Sequence, residues 1–398
     1  MAQIYVAGKP TIGRCQVKME TGSSMKILHV CETIKGGVAT WLNTFEDICG
    51  DIVESHFVVP ADHLNQLRST ASATTFRRDG RSLRSLIKLV KAAIEAEKEF
   101  NPDIIWFQSS YSLIPLFYLR ASGTDAKIIY CSHGWAQQRY QSRPIKKKIV
   151  SILEGGLAGL SDLVVNICRN DKSIADKSKY LGKHVVVENA MPDLDVDPAT
   201  LPTPYEYTKD KINLLFVGRF ERQKGLDILL DALSDASVKN SGLHLHIVGA
   251  GVNSNDKFRQ DLTNVTTFHS WVSSDDIPRY YAHAHAVVMP SRWEGLPMVL
   301  IEALRAGTPV ILANVSGMGG LIDDGESGIV VSHLTRNEFS DALSSLSIEN
   351  LINMRSSARS QYIMRYTSDR FRREILDILF EVLADIPKSR VSGKGSQV

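Results

Sequence analysis

The chain has 398 residues, 43% hydrophobic and 8% aromatic, which is enough for two cores of ordinary size. A net charge of +2, with the positive excess in the first half, is too small to argue for nucleic acid. The five cysteines, Cys15, Cys31, Cys49, Cys131 and Cys168, form no C-x-x-C pair and indicate neither a disulfide framework nor a zinc site; they read as small core residues of a reducing compartment.

Residues 1–24 lack the apolar core of a signal peptide and are expected to be an N-terminal extension outside the fold. From Lys26 onward, short apolar runs alternate with amphipathic stretches, the pattern of parallel strands joined by crossover helices. Strands are predicted at Lys26–Val30, His56–Val59, Ile104–Phe107, Lys127–Cys131, Leu163–Ile167 and His184–Val187. A helix is predicted over Ser82–Phe100, where Leu83, Leu86, Ile87, Val90 and Ile94 fall at helical spacing. Gly36 and Gly37 follow the first strand and open a helix, where a tight turn lets backbone N–H groups meet an anion. His133-Gly134 follows a later strand.

Two basic stretches stand out in this half. Arg77, Arg78, Arg81, Arg84, Lys88 and Lys91 decorate one helical region; Arg143, Lys146, Lys147 and Lys148 adjoin Ile145, Ile149, Val150, Ile152 and Leu153 in another. Each suits an anionic lipid surface and equally an ordinary solvated helix face. The run Ile149–Ile167 does not span a membrane, being broken by Glu154, Asp162 and several glycines.

Pro192, Pro198, Pro202 and Pro204, with Asp193, Asp195 and Asp197, mark a solvated linker. The aspartates imitate a metal-binding Asp-x-Asp, yet they follow no strand and read as a charge run. A second alternating half then begins, with strands predicted at Ile212–Val217, Leu243–Val248, Val265–His269, Ala286–Met289, Pro309–Leu312 and Gly328–Val331. Helices follow near Glu349–Arg365 and Asp369–Ala384, before a Lys/Ser/Gly-rich tail expected to be disordered.

Two motifs of this half carry chemistry. Gly218-Arg219-Phe220-Glu221-Arg222-Gln223-Lys224-Gly225 follows an apolar strand and precedes the helical run Leu226–Leu233, the position where an open parallel sheet binds ligands. Arg219 would offer a diphosphate a planar fork and Lys224 a point charge. In Pro290-Ser291-Arg292-Trp293-Glu294-Gly295-Leu296-Pro297-Met298-Val299-Leu300-Ile301-Glu302, a strand ends, Glu294 lies in the turn, and Pro297 is placed in the first turn of a buried helix that carries Glu302. Two such carboxylates suit sugar and ribose hydroxyls. Gly249-Ala250-Gly251 begins a dinucleotide fingerprint, but Ser254 replaces its third glycine, so it reads as a turn.

These residues resemble family 4 of the GT-B glycosyltransferases, retaining enzymes whose hallmark is E-x7-E, matched here by Glu294 and Glu302. The likeness runs from Met25 over nearly the whole chain. It includes Gly36-Gly37, His133-Gly134, Val187-Glu188-Asn189-Ala190, the Gly218–Gly225 motif, Gly307-Thr308-Pro309-Val310 and Gly317 to Gly328. It implies an α/β GT-B architecture of two Rossmann-like domains facing across a cleft. The divisions expected are 1–24 as extension, 25–190 as acceptor-binding domain, 191–210 as linker, 211–366 as nucleotide-sugar-binding domain, 367–387 as a helix packing back on the first domain, and 388–398 as tail.

By the same resemblance, Arg219 and Lys224 neutralise the donor diphosphate, Glu294 touches the donor sugar, Glu302 binds the ribose, and His133 lies beside the transferred sugar. Gly36, Gly37, Gly218, Gly295, Leu296, Met298 and Val299 would line the donor, and Val272 would hold the base. The implied activity is metal-independent, retaining hexosyl transfer, without a cofactor. The donor is a nucleotide diphosphate sugar, UDP- or GDP-linked, and the acceptor a glycan or lipid-linked saccharide of a bacterial exopolysaccharide, capsule or lipopolysaccharide. A cytoplasmic setting, peripheral at the inner face of the cell membrane, is implied. Trp293 and Leu296-Pro297 depart from many relatives and leave the sugar open. The alternatives are a GT-B phosphorylase or epimerase and a non-catalytic binding subunit.

Overall fold

A computed structural model of the chain describes residues 24–68, 72–204, 207, 210–235, 242–249, 262, 264–269, 272, 273 and 275–384. Residues 1–23, the tail 388–398, and Gly251 and Ser254 lie outside the described residues.

The first sheet comprises β1 (Met25–Cys31), β2 (Val53–Pro60), β3 (Ala73–Phe76), β4 (Ile104–Gln108), β5 (Lys127–Cys131), β6 (Leu163–Asn166) and β7 (His184–Val186) in the order β3-β2-β1-β4-β5-β6-β7, every pairing parallel. Its helices are α1 (Gly37–Cys49), α2 (Leu83–Phe100), α3 (Leu113–Ala121), α4 (Pro144–Ala158) and α5 (Arg169–Lys177). The second sheet comprises β8 (Ile212–Val217), β9 (Leu243–Val248), β10 (Thr266–His269), β11 (Ala286–Met289), β12 (Val310–Ala313) and β13 (Gly328–Val331), in the order β10-β9-β8-β11-β12-β13 and again parallel. The helices described with it are α6 (Leu226–Leu233), α7 (Ile277–His283), α8 (Met298–Arg305), α9 (Arg336–Ser344) and α10 (Ile348–Arg365), and α11 (Ser368–Ala384) ends the described chain. This is the expected α/β architecture of two Rossmann-like sheets.

Both sheets have the same winding. Strand order reverses between β1 and β4 and again between β8 and β11, and in such sheets ligands enter the crevice outside the carboxyl ends at that reversal. The central strands are covered on both faces, so β4 is an unbroken buried run rather than an alternating one. The edge strand β3, Ala-Thr-Thr-Phe, fully buries only Phe76 and carried no sequence signal. In α2, Ser82 caps the helix by accepting from the Ser85 N–H, and Asn101 closes it in the left-handed conformation.

The outer face of each sheet has its own apolar cluster, while the inner faces share one. Ile167, Met191, Leu296, Met298, Tyr366 and Phe371 all belong to that shared cluster. The crossover from the second sheet stitches it: the Met191 N–H donates to the Tyr366 carbonyl at 3.1 Å, and the Tyr362 hydroxyl donates to the Met191 carbonyl at 3.0 Å. Helix α11 then lies on α1, with Phe371 edge-on to Trp41 at 6.2 Å and Arg372 forked onto Asp51 at 2.6 and 2.7 Å. Asp193 is more than a solvated charge, since Arg359 grips both its oxygens at 2.6 and 2.8 Å.

One glycine controls how closely two loops of the second sheet approach. Gly225 has φ +69°, and a Cβ there would stand 1.8 Å from the Pro290 carbonyl oxygen. Gly225→Ala should lower the melting temperature by roughly 5 °C or more, for a loss of about 2 kcal/mol or more. An unchanged melting curve would sink this account of the close approach.

Candidate active site

The two loops leaving β8 and β11 meet at the strand reversal. Glu294 is buried, 7% exposed, and a carboxylate there needs donors. It has three: Lys224 Nζ to Oε1 at 2.8 Å, the Ser291 hydroxyl to Oε1 at 2.9 Å, and Gln223 Nε2 to Oε2 at 3.3 Å. Arg292 clamps the loops together. Its N–H donates to the Gln223 carbonyl at 2.7 Å, and its guanidinium forks onto Asp227 at 2.6 and 2.8 Å, holding the Asp227 carboxyl below the usual carboxylate range. Gly218 leaves room for the aliphatic stem of Lys224, whose Cγ lies 3.4 Å from where a Cβ would be. Arg219 is half-exposed and paired with Glu221 at 2.9 Å.

The first sheet presents its own reversal to these loops. The glycine turn that opens α1 has Gly36 at φ +76°, with a would-be Cβ 3.9 Å from Arg219 Nε, and the corresponding point on Gly37 is 4.0 Å from Met298 Cγ. Gly134 approaches the Gly295 backbone, its would-be Cβ 3.5 Å from the Gly295 nitrogen. Gly295 presses in turn on the β6–α5 turn, where a Cβ would meet Ile167 at 2.8 Å and Asp171 Oδ2 at 3.3 Å. Gly317 does the same against Asn170, at 2.7 Å from its Cβ. Asn189 secures the seam by donating Nδ2–H to the Leu296 carbonyl at 2.8 Å.

His133 has φ +51°, an uncommon conformation for a residue with a side chain. Burial pushes its imidazole down to about 4, so the ring is neutral near pH 7. Its Nε2 lies 2.7 Å from Gln108 Oε1, and because that oxygen can only accept, Nε2 carries the proton and Nδ1 is the ring's acceptor. Gln108 donates onward to His29 Nδ1 at 3.3 Å. His29 can accept because burial pushes it to about 3, among the rings of Phe45, Phe57 and Trp106.

The predicted residues are thus distributed over the two lips of one crevice. Lys224 touches both Glu294 and Gly218, Arg219 and Met298 face Gly36 and Gly37, and Gly295 faces Gly134. Glu302 lies four residues along α8 from Met298, about 6 Å of helix rise, and accepts the Tyr281 hydroxyl at 2.5 Å. One placement differs from expectation. Pro297 caps α8 rather than entering its first turn. Leu296 is 3% exposed and its carbonyl is taken by Asn189, so the peptide N–H is the group it could offer a donor. Val272 packs against the shared apolar core, while Val299 is part-buried beside it. Gln108, Asp171 and Tyr281 were not anticipated, and Asn189, Gln223 and Ser291 stand within the quoted motifs without an expected role; Gln108, a polar residue ending the run Ile-Ile-Trp-Phe, left a readable signal.

Comparison with known proteins bears on this crevice. Residues 211–348, the stretch that carries Lys224 and Glu294, match the family model described as glycosyl transferases group 1. Over 358 residues the chain is 30% identical to an uncharacterized 41.2 kDa protein in the cps region of Klebsiella pneumoniae, covering 88% of this chain and 96% of that one. The chain belongs to the group 1 glycosyltransferases. A D-inositol 3-phosphate glycosyltransferase of Paenarthrobacter aurescens is 32% identical over 145 residues, only 34% of this chain and 36% of that enzyme. Among solved structures, Anabaena HepE in complex with UDP-glucose superposes with a TM-score of 0.71 at 17% identity, over 90% of this chain and all of that one. That likeness speaks to the fold, which is GT-B.

The seam of this glycosyltransferase contains a carboxyl group whose charge costs stability. Asp171 is fully buried, Oδ1 accepts from Gln138 Nε2 at 3.1 Å, and Oδ2 has no hydrogen-bond partner among the described residues. Burial pushes its pKa up to about 7, with a smaller push from nearby Glu154. Between the ordinary aspartate value of 3.8 and about 7, the unfolded chain is ionised where the folded one is not, so unfolding releases a proton and stability falls as pH rises. Asp171→Asn should therefore gain melting temperature over the wild type, and gain more at about pH 8 than at about pH 5. A difference independent of pH would show that Asp171 is already ionised in the fold.

Proposed function

We propose that this glycosyltransferase moves a hexosyl group, with retention and without a metal ion, from a UDP- or GDP-linked sugar to a hydroxyl of a glycan or lipid-linked saccharide. The setting is assembly of a bacterial surface polysaccharide at the inner face of the cell membrane. The observation that carries the reading is the Lys224–Glu294 pair at the β8/β11 reversal, facing His133-Gly134 across the crevice through Gly295. The UDP-glucose held by HepE and the cps-region setting of the Klebsiella relative support the donor class and the pathway class.

The geometry suggests how the residues would share the work. A diphosphate between Arg219 and the glycine turn of α1 meets a guanidinium fork on one side and unpaired helix N–H groups on the other. Its charge competes with Glu294 for Lys224, and a Glu294 released from Lys224 is an acceptor for a sugar hydroxyl. Neutral His133, with Nδ1 as acceptor, would orient another hydroxyl rather than supply positive charge. Glu302, steadied by Tyr281, would accept from the ribose. Fixed charge in a water-poor crevice then stabilises the departing diphosphate, which needs no metal in this scheme.

Arg219 is the cleaner test, because removing Lys224 would also strand a buried carboxylate. Release of nucleoside diphosphate from UDP-glucose or a GDP-sugar, followed with EDTA present and with a bacterial membrane extract as acceptor source, should fall at least about 10²-fold in Arg219→Ala. The anomeric configuration of the product should match the donor's. Undiminished turnover in the variant, an isomerised donor in place of a glycoside, or an inverted product would each overturn part of this reading.

A further inference from the structure

Four strands of the first sheet end in one charged cluster that the crevice residues described above leave unused. Glu32 follows β1, His63 follows β2, Arg78 and Arg81 stand between β3 and α2, and Tyr111 follows β4. These are the carboxyl ends from which Gly36 and Gly134 approach the second domain, so the cluster lies at the mouth of the same sheet. Glu32 is 4% exposed, and a carboxylate so buried needs cations or donors. Two arginines answer it through a single oxygen: Arg78 donates Nε–H to Oε1 at 2.9 Å, and Arg81 Nε stands 3.8 Å from the same atom. Oε2 is buried too and has no hydrogen-bond partner among the described residues. Arg81 lies over the Tyr111 ring, its guanidinium carbon 4.9 Å from the centroid.

An ion pair that only fastened β1 to the β3–α2 loop would need one arginine. Here there are two, and each meets Glu32 side-on, through Nε. That leaves both guanidiniums their end-on pair of terminal N–H groups, the fork that grips a carboxylate or phosphate. Neither fork has a hydrogen-bond partner among the described residues, and the side chains of Arg78 and Arg81 are 19% and 44% exposed. The charge around them has a positive excess: Lys35, Arg77 and Lys88 add three cations against the two carboxylates Asp62 and Asp79. Burial holds His63 below its ordinary range, so the ring is neutral near pH 7 and adds nothing to this balance. A neutral sugar entering here would strip water from two cations and return only hydroxyls, whereas an anion answers them.

We propose that Arg78 and Arg81, held in place by Glu32, form a subsite for an anionic group of the acceptor saccharide, the carboxylate of a uronic acid or the phosphate of a sugar phosphate. This deepens the transfer reading by naming the charge of the saccharide that is extended, and the word acceptor rests on that reading; the binding of the anion does not. Arg81 is the cleaner member to remove, because it is the more exposed, while Arg78 also keeps Glu32 paired.

The test is a ligand-observed NMR titration of the full chain, without donor, using methyl β-D-glucuronide, glucose 1-phosphate and the neutral methyl β-D-glucoside. At least one anionic probe should bind at least about tenfold more tightly than the glucoside, and which one does so tells carboxylate from phosphate. Arg81→Gln should weaken that binding by about fivefold or more at an unchanged melting temperature, and Arg81→Lys, which keeps the charge and loses the fork, should recover part of it. Arg219→Ala, on the opposite lip, should bind the probe like the wild type. Equal affinity for all three probes, or none for any, overturns the proposal. So does an Arg81→Gln variant that binds like the wild type, or binding lost in Arg219→Ala, which would put the anion in the donor crevice. With no donor present, failure here leaves the transfer reading intact, and failed transfer leaves the anion subsite intact.

Discussion

A buried glutamate persists only where its charge is answered, and the answer to Glu294 organises the functional half of this protein. Lys224 reaches it from a loop seventy residues earlier, so the pair fastens the β8 and β11 loops at the point where strand order reverses. Ser291, Gln223 and the Arg292–Asp227 fork make the same two loops one rigid unit. The pair also leaves the site responsive. Breaking a buried ion pair is costly unless a new anion replaces the old one, so a ligand that took Lys224 from Glu294 would have to bring its own negative charge.

Around that unit the two sheets approach one another through backbone. Gly295 and Gly317 stand where a Cβ would press on the opposite domain, Gly134 lies in contact with the Gly295 backbone, and the shared apolar cluster supplies most of the adhesion. Helices α10 and α11 return from the second sheet to the first, with Tyr366 on Met191 and Arg372 on Asp51. The crevice is therefore bounded by a seam that is closely packed along one side. In that seam the Asp171 carboxyl has no hydrogen-bond partner for one oxygen among the described residues, at the turn that Gly295 touches.

The first domain contributes less charge and more orientation. Strung from the aromatic core outward, His29, Gln108 and His133 fix which nitrogen of the last ring carries its proton. Desolvation keeps both imidazoles neutral, which separates the polar lip of the crevice from the cationic one opposite. On the outside of the same domain, the three hydrogen bonds of Glu154 decide that α4 shows its isoleucines to solvent.

By itself, the sequence determined what depends on local periodicity and turn chemistry. The alternation of apolar runs and amphipathic stretches located nearly every strand, because central parallel strands are covered on both faces and are built mainly of apolar residues; β3, a short edge strand with two threonines, was invisible for the complementary reason. Glycine-rich turns after strands marked Gly36, Gly218 and Gly295: Gly36 takes a φ of +76° that a side chain disfavours, and a Cβ on Gly295 would meet Ile167 at 2.8 Å. Only the tertiary structure decided partnerships across long separations: Lys224 with Glu294, Gln108 with His133, Tyr281 with Glu302, Asn189 with Leu296. The same holds for the facing of α4, whose amphipathic pattern is identical whichever side is buried. Periodicity records that a helix has two faces; which one meets the core is settled by the buried carboxylate and the residues, far away in the chain, that answer it.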